Sequence, residues 1–230
     1  SSNRAPRAMS RSDFCSAVTA ATVPCMPGMP RCCGWLSGNA PRAINAVTSR
    51  DGRWFGANTD VEGFLVPLSR RIALEGTRVT VLGSGGAARA VAVALASRRA
   101  RVTVSARNGE GARGIAALVG GQVGEFPPRQ ASWDVLVNAT PVGSEKMPGT
   151  PMGTAPLDGR IVYELVYAPA DTELLQAARA AGVQTIGGLE MLIAQAERQF
   201  ELWTGQRPPA GLFEAAATAS DDAAVVAARG

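Results

Sequence analysis

The run Val79-Thr80-Val81-Leu82-Gly83-Ser84-Gly85-Gly86-Ala87-Ala88-Arg89-Ala90 constrains this chain more than any other. β-branched residues lead into a glycine turn, and an Ala-rich stretch of high helix propensity follows. A strand that passes through Gly-x-Gly straight into a helix is the phosphate-binding fingerprint of a dinucleotide fold. Gly83 permits the sharp turn and Gly85 lets the backbone approach a pyrophosphate. Ala88 stands at the third position, where a small residue lets helix and strand pack closely. The helix N-terminus then offers unpaired N–H groups and the positive end of its dipole. Bare glycine patterns also make ordinary turns; here the strand before and the helix after favour the binding role.

The text around this run alternates. Strands are predicted at 78–82, 101–105, 122–126, 135–138, 161–165 and 184–186, and helices at 86–97, 110–119, 172–181, 188–204 and 210–217. Strands this apolar belong to a parallel sheet with helices on both faces, a doubly wound α/β fold of Rossmann type. Upstream, 40–47 reads as a short helix running into a strand, Asp51-Gly52 as a tight turn before a strand at 54–57, and 58–71 as a helix with Leu65 and Leu68 on its apolar side. From 1 to 35 no period of 2 or 3.6 is sustained, and Pro24, Pro27 and Pro30 break any helix, so this part reads as irregular.

Composition removes several function classes. The 230 residues contain no histidine, which excludes a Ser-His triad, a His base and His metal ligands; acid/base work falls to carboxylates, Tyr, Cys or Lys146, and no metal is expected. The net charge of +4 comes from scattered arginines without a stripe or interleaved aromatics, so no nucleic-acid partner is expected. All four cysteines lie within the first 33 residues, and the adjacent Cys32-Cys33 suits neither a zinc pair nor a CxxC. Free thiols in a reducing cytoplasm are the expectation. Arg4, Arg7 and Arg11 before 14–23 imitate a leader peptide only faintly, because Thr and Ser interrupt the apolar stretch. No apolar run is long enough to cross a bilayer, so no membrane association is expected.

Cofactor choice is read at the end of the next strand, where an NAD site usually carries an acid for the ribose 2′-OH. Ser105-Ala106-Arg107-Asn108 has none. A guanidinium at Arg107 suits a 2′-phosphate, which favours NADP; a plain surface arginine is the alternative.

Several separated motifs resemble, in order and spacing, those of the shikimate dehydrogenase family. They are Gly83-Ser84-Gly85-Gly86-Ala87-Ala88-Arg89-Ala90, Asn138-Ala139-Thr140-Pro141-Val142-Gly143, Val166-Tyr167-Ala168-Pro169 with Thr172, and Gly187-Gly188-Leu189-Glu190-Met191-Leu192 with Gln195. Ala43-Ile44-Asn45-Ala46-Val47 and Gly56-Ala57-Asn58-Thr59-Asp60-Val61-Glu62-Gly63 resemble the family's two substrate-facing motifs. The resemblance implies reversible hydride transfer between NADPH and 3-dehydroshikimate, giving shikimate. It implies that Asp60 is catalytic, that Asn45, Asp60, Tyr167 and Gln195 meet the substrate, and that Gly83, Ser84, Gly85, Gly86, Ala87, Ala88, Arg107, Asn138, Ala139, Thr140, Val142, Val166, Gly188 and Met191 hold the cofactor. A helix-capping Asp is the bland reading of Asp60, and it is compatible with the catalytic one. A cytoplasmic monomer or homodimer is implied. So is a division into 1–35 (irregular), 36–71 (remnant of a substrate-binding α/β domain), 72–187 (NADP-binding domain), 188–219 (helices returning to the substrate domain) and 220–230 (tail).

The chain departs from the family upstream. The family's Thr-x-Pro-x-Lys motif supplies a proton-transferring lysine, and the matching register here is Thr22-Val23-Pro24-Cys25-Met26. A thioether donates no proton, so impaired turnover is the expectation. The family's early Ser-x-Ser contacts have no counterpart, which points to a truncated or altered N-terminal part.

Overall fold

The computed structural model describes residues 45–50 and 53–217. The expectations for 1–44, for the Asp51-Gly52 turn and for the end of the chain past 217 fall outside these residues, and Met26 is among them.

Strands β1 (Ala46–Arg50) and β2 (Arg53–Ala57) pair antiparallel in a two-stranded ribbon, with Ala46 opposite Ala57. The helix predicted for 58–71 is shorter, α1 (Asp60–Ser69). Its start is set by Asn58, whose Oδ1 accepts the Asp60 N–H at 3.0 Å in an Asx turn and so keeps Asn58 and Thr59 outside the helix. The remaining order is β3 (Arg78–Leu82), α2 (Gly86–Ser97), β4 (Arg101–Ser105), α3 (Gly109–Val119), β5 (Gln122–Val123), β6 (Val135–Asn138), β7 (Ile161–Glu164), α4 (Glu173–Ala180), β8 (Gln184–Ile186) and α5 (Gly188–Thr204). Residues 212–217 are again helical.

Six strands form one parallel sheet in the order β5-β4-β3-β6-β7-β8. Strand β3 lies between β4 and β6, so the winding reverses direction at its carboxyl end. In a doubly wound sheet that switch point opens the crevice where ligands bind. The strand expected at 122–126 ends at Val123. Gly124 makes a last bond to the Val104 carbonyl at 3.0 Å, and Pro127 and Pro128, which lack N–H groups, follow shortly after. The strand expected to reach 165 stops at Glu164, and the helix expected at 172–181 spans Glu173–Ala180 because Thr172 is its N-cap, accepting the Leu175 N–H at 3.3 Å.

The core lies on both faces, as the apolar strands require. Val79, Val81, Val135, Val137, Ile161 and Tyr163 meet Phe64, Leu68, Val91, Leu95 and Ile115 from α1, α2 and α3. Leu82, Leu136 and Val162 point the other way, onto Trp133, Met152, Leu174 and Ala178. Ala88, Ala92 and Ala94 are fully buried, so α2 lies close against the sheet, as its small residues allow. Phe64 stacks on Tyr163 with centroids 4.9 Å apart and docks α1 over β7.

Candidate active site

The glycine turn separates two demands on its glycines. Gly83 has φ +114°, and a Cβ there would stand 2.9 Å from the Ala139 carbonyl oxygen, so the turn after β3 backs directly onto the loop after β6. Gly85 and Gly86 are exposed, and a Cβ at either would meet no protein atom within 4 Å. Packing within the described chain therefore does not demand glycine at 85 or 86, whereas close approach of a phosphate would. Gly85 is the N-cap of α2 and no side chain caps that helix, which leaves its first N–H groups directed outward. Ala88 is fully buried and Ala87 exposed, with Ser84 between them in accessibility.

Arg107 is exposed just past β4 and makes no ion pair or hydrogen bond among the described residues. Asn108 beside it caps α3, accepting from Gly111 N–H at 3.2 Å. An exposed guanidinium without an ion partner among the described residues fits the 2′-phosphate end of NADP. The glycine turn and Arg107 thus fit the dinucleotide that the sequence suggests.

The loop after β6 is organised from within. The Asn138 side chain is fully buried. Its Nδ2 donates to the Val142 carbonyl at 2.9 Å, and its Oδ1 accepts from Thr140 N–H at 3.0 Å and Thr140 Oγ1 at 2.7 Å. Asn138 therefore shapes this loop, while Ala139, Thr140 and Val142, all partly accessible, form its surface. At the start of α5, a Cβ on Gly188 would fall 2.6 Å from the Val166 carbonyl oxygen, so only glycine lets this helix approach the backbone after β7. Met191 packs one turn further, against the core.

Of the residues expected to meet the substrate, Asn45, Asp60 and Gln195 lie at or beside the seam of α1 and α5. Asn45 Nδ2 donates to Asp60 Oδ1 at 2.6 Å, and Asn45 Oδ1 accepts from Thr59 N–H at 2.8 Å. Asn58 provides the Asx turn at the helix start, so the Asp60 carboxylate does not cap α1. Burial raises the Asp60 carboxyl above the ordinary range, opposed by the Asn45 amide, which favours the charged form. Gly63 faces Gln195, where a Cβ would stand 2.9 Å from the Gln195 Cβ; this contact places Gln195 within one helical turn of Asp60 on the facing helix. Tyr167, on the turn after β7, is 57% exposed.

Sequence reasoning passed over Gln199, whose Nε2 donates to Thr59 Oγ1 at 3.2 Å and joins the same cluster four residues along from Gln195. Its spacing of i+4 on a helix carrying Gln195 was the available signal. Glu164 was passed over as well, although an acid closing the apolar strand Ile161–Glu164 stands out. Among the described residues no group of His, Cys, Asp and Glu is placed to hold a metal ion, and no helix is long and apolar enough to cross a membrane.

The chain is similar to several known proteins. The shikimate 5′-dehydrogenase C-terminal domain family matches residues 188–218. Shikimate dehydrogenase (NADP(+)) of Sphingopyxis alaskensis is 42% identical over 174 residues, covering 74% of this chain and 63% of that protein. The corresponding protein of Salinibacter ruber is 39% identical over 193 residues, covering 75% of this chain and 67% of its own length. The crystal structure of Thermus thermophilus shikimate 5-dehydrogenase, solved with NADP(H) and shikimate, superposes with a TM-score of 0.67 at 38% identity, over 77% of this chain and 69% of that one. The chain thus spans a little under two thirds of the length of its first relatives. With 39% of residues identical to a relative that it covers over two thirds of its length, and a matching fold, the chain belongs to the shikimate dehydrogenase family.

Proposed function

We propose that the chain is an NADP-dependent oxidoreductase that interconverts 3-dehydroshikimate and shikimate, with turnover held down by Met26. The observation that carries this reading is the Asn45–Asp60 pair at the start of α1, one helical turn from the point where Gly63 meets Gln195 of α5, on a chain that also bears the uncapped glycine turn. Gly83, Ser84, Gly85, Gly86, Ala87 and Ala88 would hold the pyrophosphate, and Arg107 the 2′-phosphate. Ala139, Thr140, Val142, Val166, Gly188 and Met191 would line the rest of the dinucleotide, on a loop that Asn138 braces. When bound, NADPH supplies the hydride.

The chain's own residues would orient the ring acid and manage the proton. Asn45, Gln195 and Tyr167 hydrogen-bond its hydroxyl and carboxyl oxygens, and Asp60 stands at the reacting oxygen. Burial makes the Asp60 carboxyl hold a proton more readily than an ordinary aspartate, while the Asn45 amide keeps its carboxylate oriented. The family lysine would share that proton; with Met26 in its register, Asp60 works without it. Loss of a positioned acid/base group costs about 10²–10⁴ in rate. We place the protein in the cytoplasm, as a monomer or homodimer.

One assay tests the reading: NADPH is titrated by fluorescence, then NADP reduction is followed with shikimate and with quinate, in the natural chain and in Met26→Lys. Cofactor binding is expected in both, and shikimate turnover is expected to rise by about 10² or more in the variant. Absence of NADPH binding overturns the reading. Met26 favours a second reading, an NADP-binding protein without turnover, and that reading prevails if NADPH binds while both chains stay inert toward both substrates.

A further inference from the structure

Glu164 closes β7 and is fully buried, yet among the described residues no cation pairs with it. Its carboxylate accepts from Asn138 Nδ2 at 2.9 and 3.0 Å, from Val166 N–H at 2.9 Å and from Thr172 Oγ1 at 3.3 Å. These donors come from three separate places: the end of β6, the turn after β7 and the N-cap of α4. The groups facing the carboxylate are those donors, the Leu165 amide and Gly143, where a Cβ would stand 3.5 Å from Oε2; none of them is titratable. Burial lifts the Glu164 carboxyl to about 7 in spite of the donors. Holding a carboxylate there is costly compared with an apolar or amide side chain. What a carboxylate adds is acceptance from three directions at once, which a neutral amide cannot match because half of it is a donor.

Two of the three segments are those proposed above to line the dinucleotide beyond its pyrophosphate and 2′-phosphate, which is its nicotinamide half. Asn138, held by Glu164, itself holds Thr140 and Val142. Val166, also held by Glu164, presents the carbonyl on which Gly188 packs. A shift of this one carboxylate therefore moves both walls. We propose that Glu164 is a positioning residue for the nicotinamide half of NADP, gathering the 138–143 loop and the 165–166 turn onto a single acceptor and so setting the gap between them. It touches neither cofactor nor substrate, and the proposal rests on the cofactor reading of the preceding section.

The test compares two ligands on the full chain, NADPH and adenosine 2′,5′-bisphosphate. The second occupies only the adenosine end, around the glycine turn and Arg107. Glu164→Gln is expected to weaken NADPH by about tenfold while leaving the bisphosphate within about twofold, and Glu164→Asp, which keeps the acceptor, is expected to recover part of the loss. A merely structural role would lower the melting temperature and weaken both ligands together. If Glu164→Gln does not fold, the natural chain decides, with 2′-phospho-ADP-ribose in place of the bisphosphate because its 5′ phosphates are diester-linked as in NADPH: the NADPH-to-analogue affinity ratio is expected to fall by about tenfold from roughly pH 8.5 to roughly pH 6, because protonation removes an acceptor, and titration of the shared 2′-phosphate cancels in the ratio. Equal NADPH affinity in the natural and Gln chains, or a ratio flat with pH, overturns this proposal and leaves the cofactor reading standing. A natural chain that binds neither ligand overturns both.

Discussion

Gly83 and Gly85 stand two residues apart in one turn and need glycine for different reasons. Gly83 is constrained by the protein, through φ +114° and a carbonyl oxygen 2.9 Å from any Cβ. Gly85 has φ −84° and open space beyond it, so only a ligand would object to a side chain there. Gly83→Ala is therefore expected to lower unfolding stability by about 1–3 kcal/mol. Gly85→Ala should leave stability within about 0.5 kcal/mol while raising the NADPH Kd by about tenfold or more. Urea melts and fluorescence titration separate the two, and a Gly85→Ala chain that binds NADPH normally would remove the pyrophosphate from this turn. At this scale the sequence was legible where residue type and spacing carry the chemistry, as in the glycine turn, while Asn45 and Asp60 were singled out by the family resemblance. Glu164 was not, because its importance comes from three donors that are distant from one another along the chain.

The pairing of α1 with α5 is where elements make the site. Gly63 lets the helices touch at Gln195, Arg198 Nε meets Glu62 Oε2 at 2.5 Å, and Arg71 Nη2 meets Glu190 Oε2 at 2.8 Å. Glu190 also accepts the Gly187 N–H at 3.3 Å, so one side chain caps α5 and ties it to the chain leaving α1. A larger residue at 63 pushes the two helices apart, since the nearest atoms include the Gln195 and Met191 backbone, which cannot swing away. Gly63→Val is expected to cost about 1–3 kcal/mol of stability. It should also raise the KM for shikimate, measured in the Met26→Lys background, far more than the Kd for NADPH. Equal effects on both would show that the seam does not set substrate position. Element type and order were readable from apolar periodicity and propensity. Element ends were less so: α1 starts late because Asn58 turns its side chain onto the backbone, and β5 stops early at the sheet edge where prolines follow.

Across the whole molecule, Glu164 gives stability an unusual pH dependence. Its folded pKa is about 7 against an ordinary 4.5, so the folded chain holds this proton more tightly than the unfolded chain does. The contribution is full below the unfolded value and is lost as pH rises through the folded one. The loss amounts to about 3 kcal/mol, from 1.36 kcal/mol per pKa unit. Asp60, raised by burial, acts in the same sense. Asp134, lowered by its bonds to Arg78, and Asp171, lowered by Arg179, act in the opposite sense but at pH below the ordinary carboxylate range. About 2 kcal/mol of that loss falls above roughly pH 5.5, so the melting temperature is expected to fall by about 4–8 °C between roughly pH 5.5 and roughly pH 8. Glu164→Gln should flatten that slope. A melting temperature that rises over this window would contradict the buried, unpaired carboxylate.

Local chain chemistry was enough to establish a doubly wound sheet with a dinucleotide turn at β3, because strand burial, helix propensity and glycine conformation act over neighbouring residues and leave their pattern in the text. The placing of Met26 in the register of the family lysine came from the family resemblance, and Met26 lies outside the described residues. The union of Asn45, Asp60, Gln195 and Gln199 at one seam was decided by tertiary structure alone, as was the three-way grip of Glu164 on loops that no sequence period connects. Such contacts depend on how close two backbones come after packing, and that distance is set by the summed volumes of side chains lying far apart in the chain.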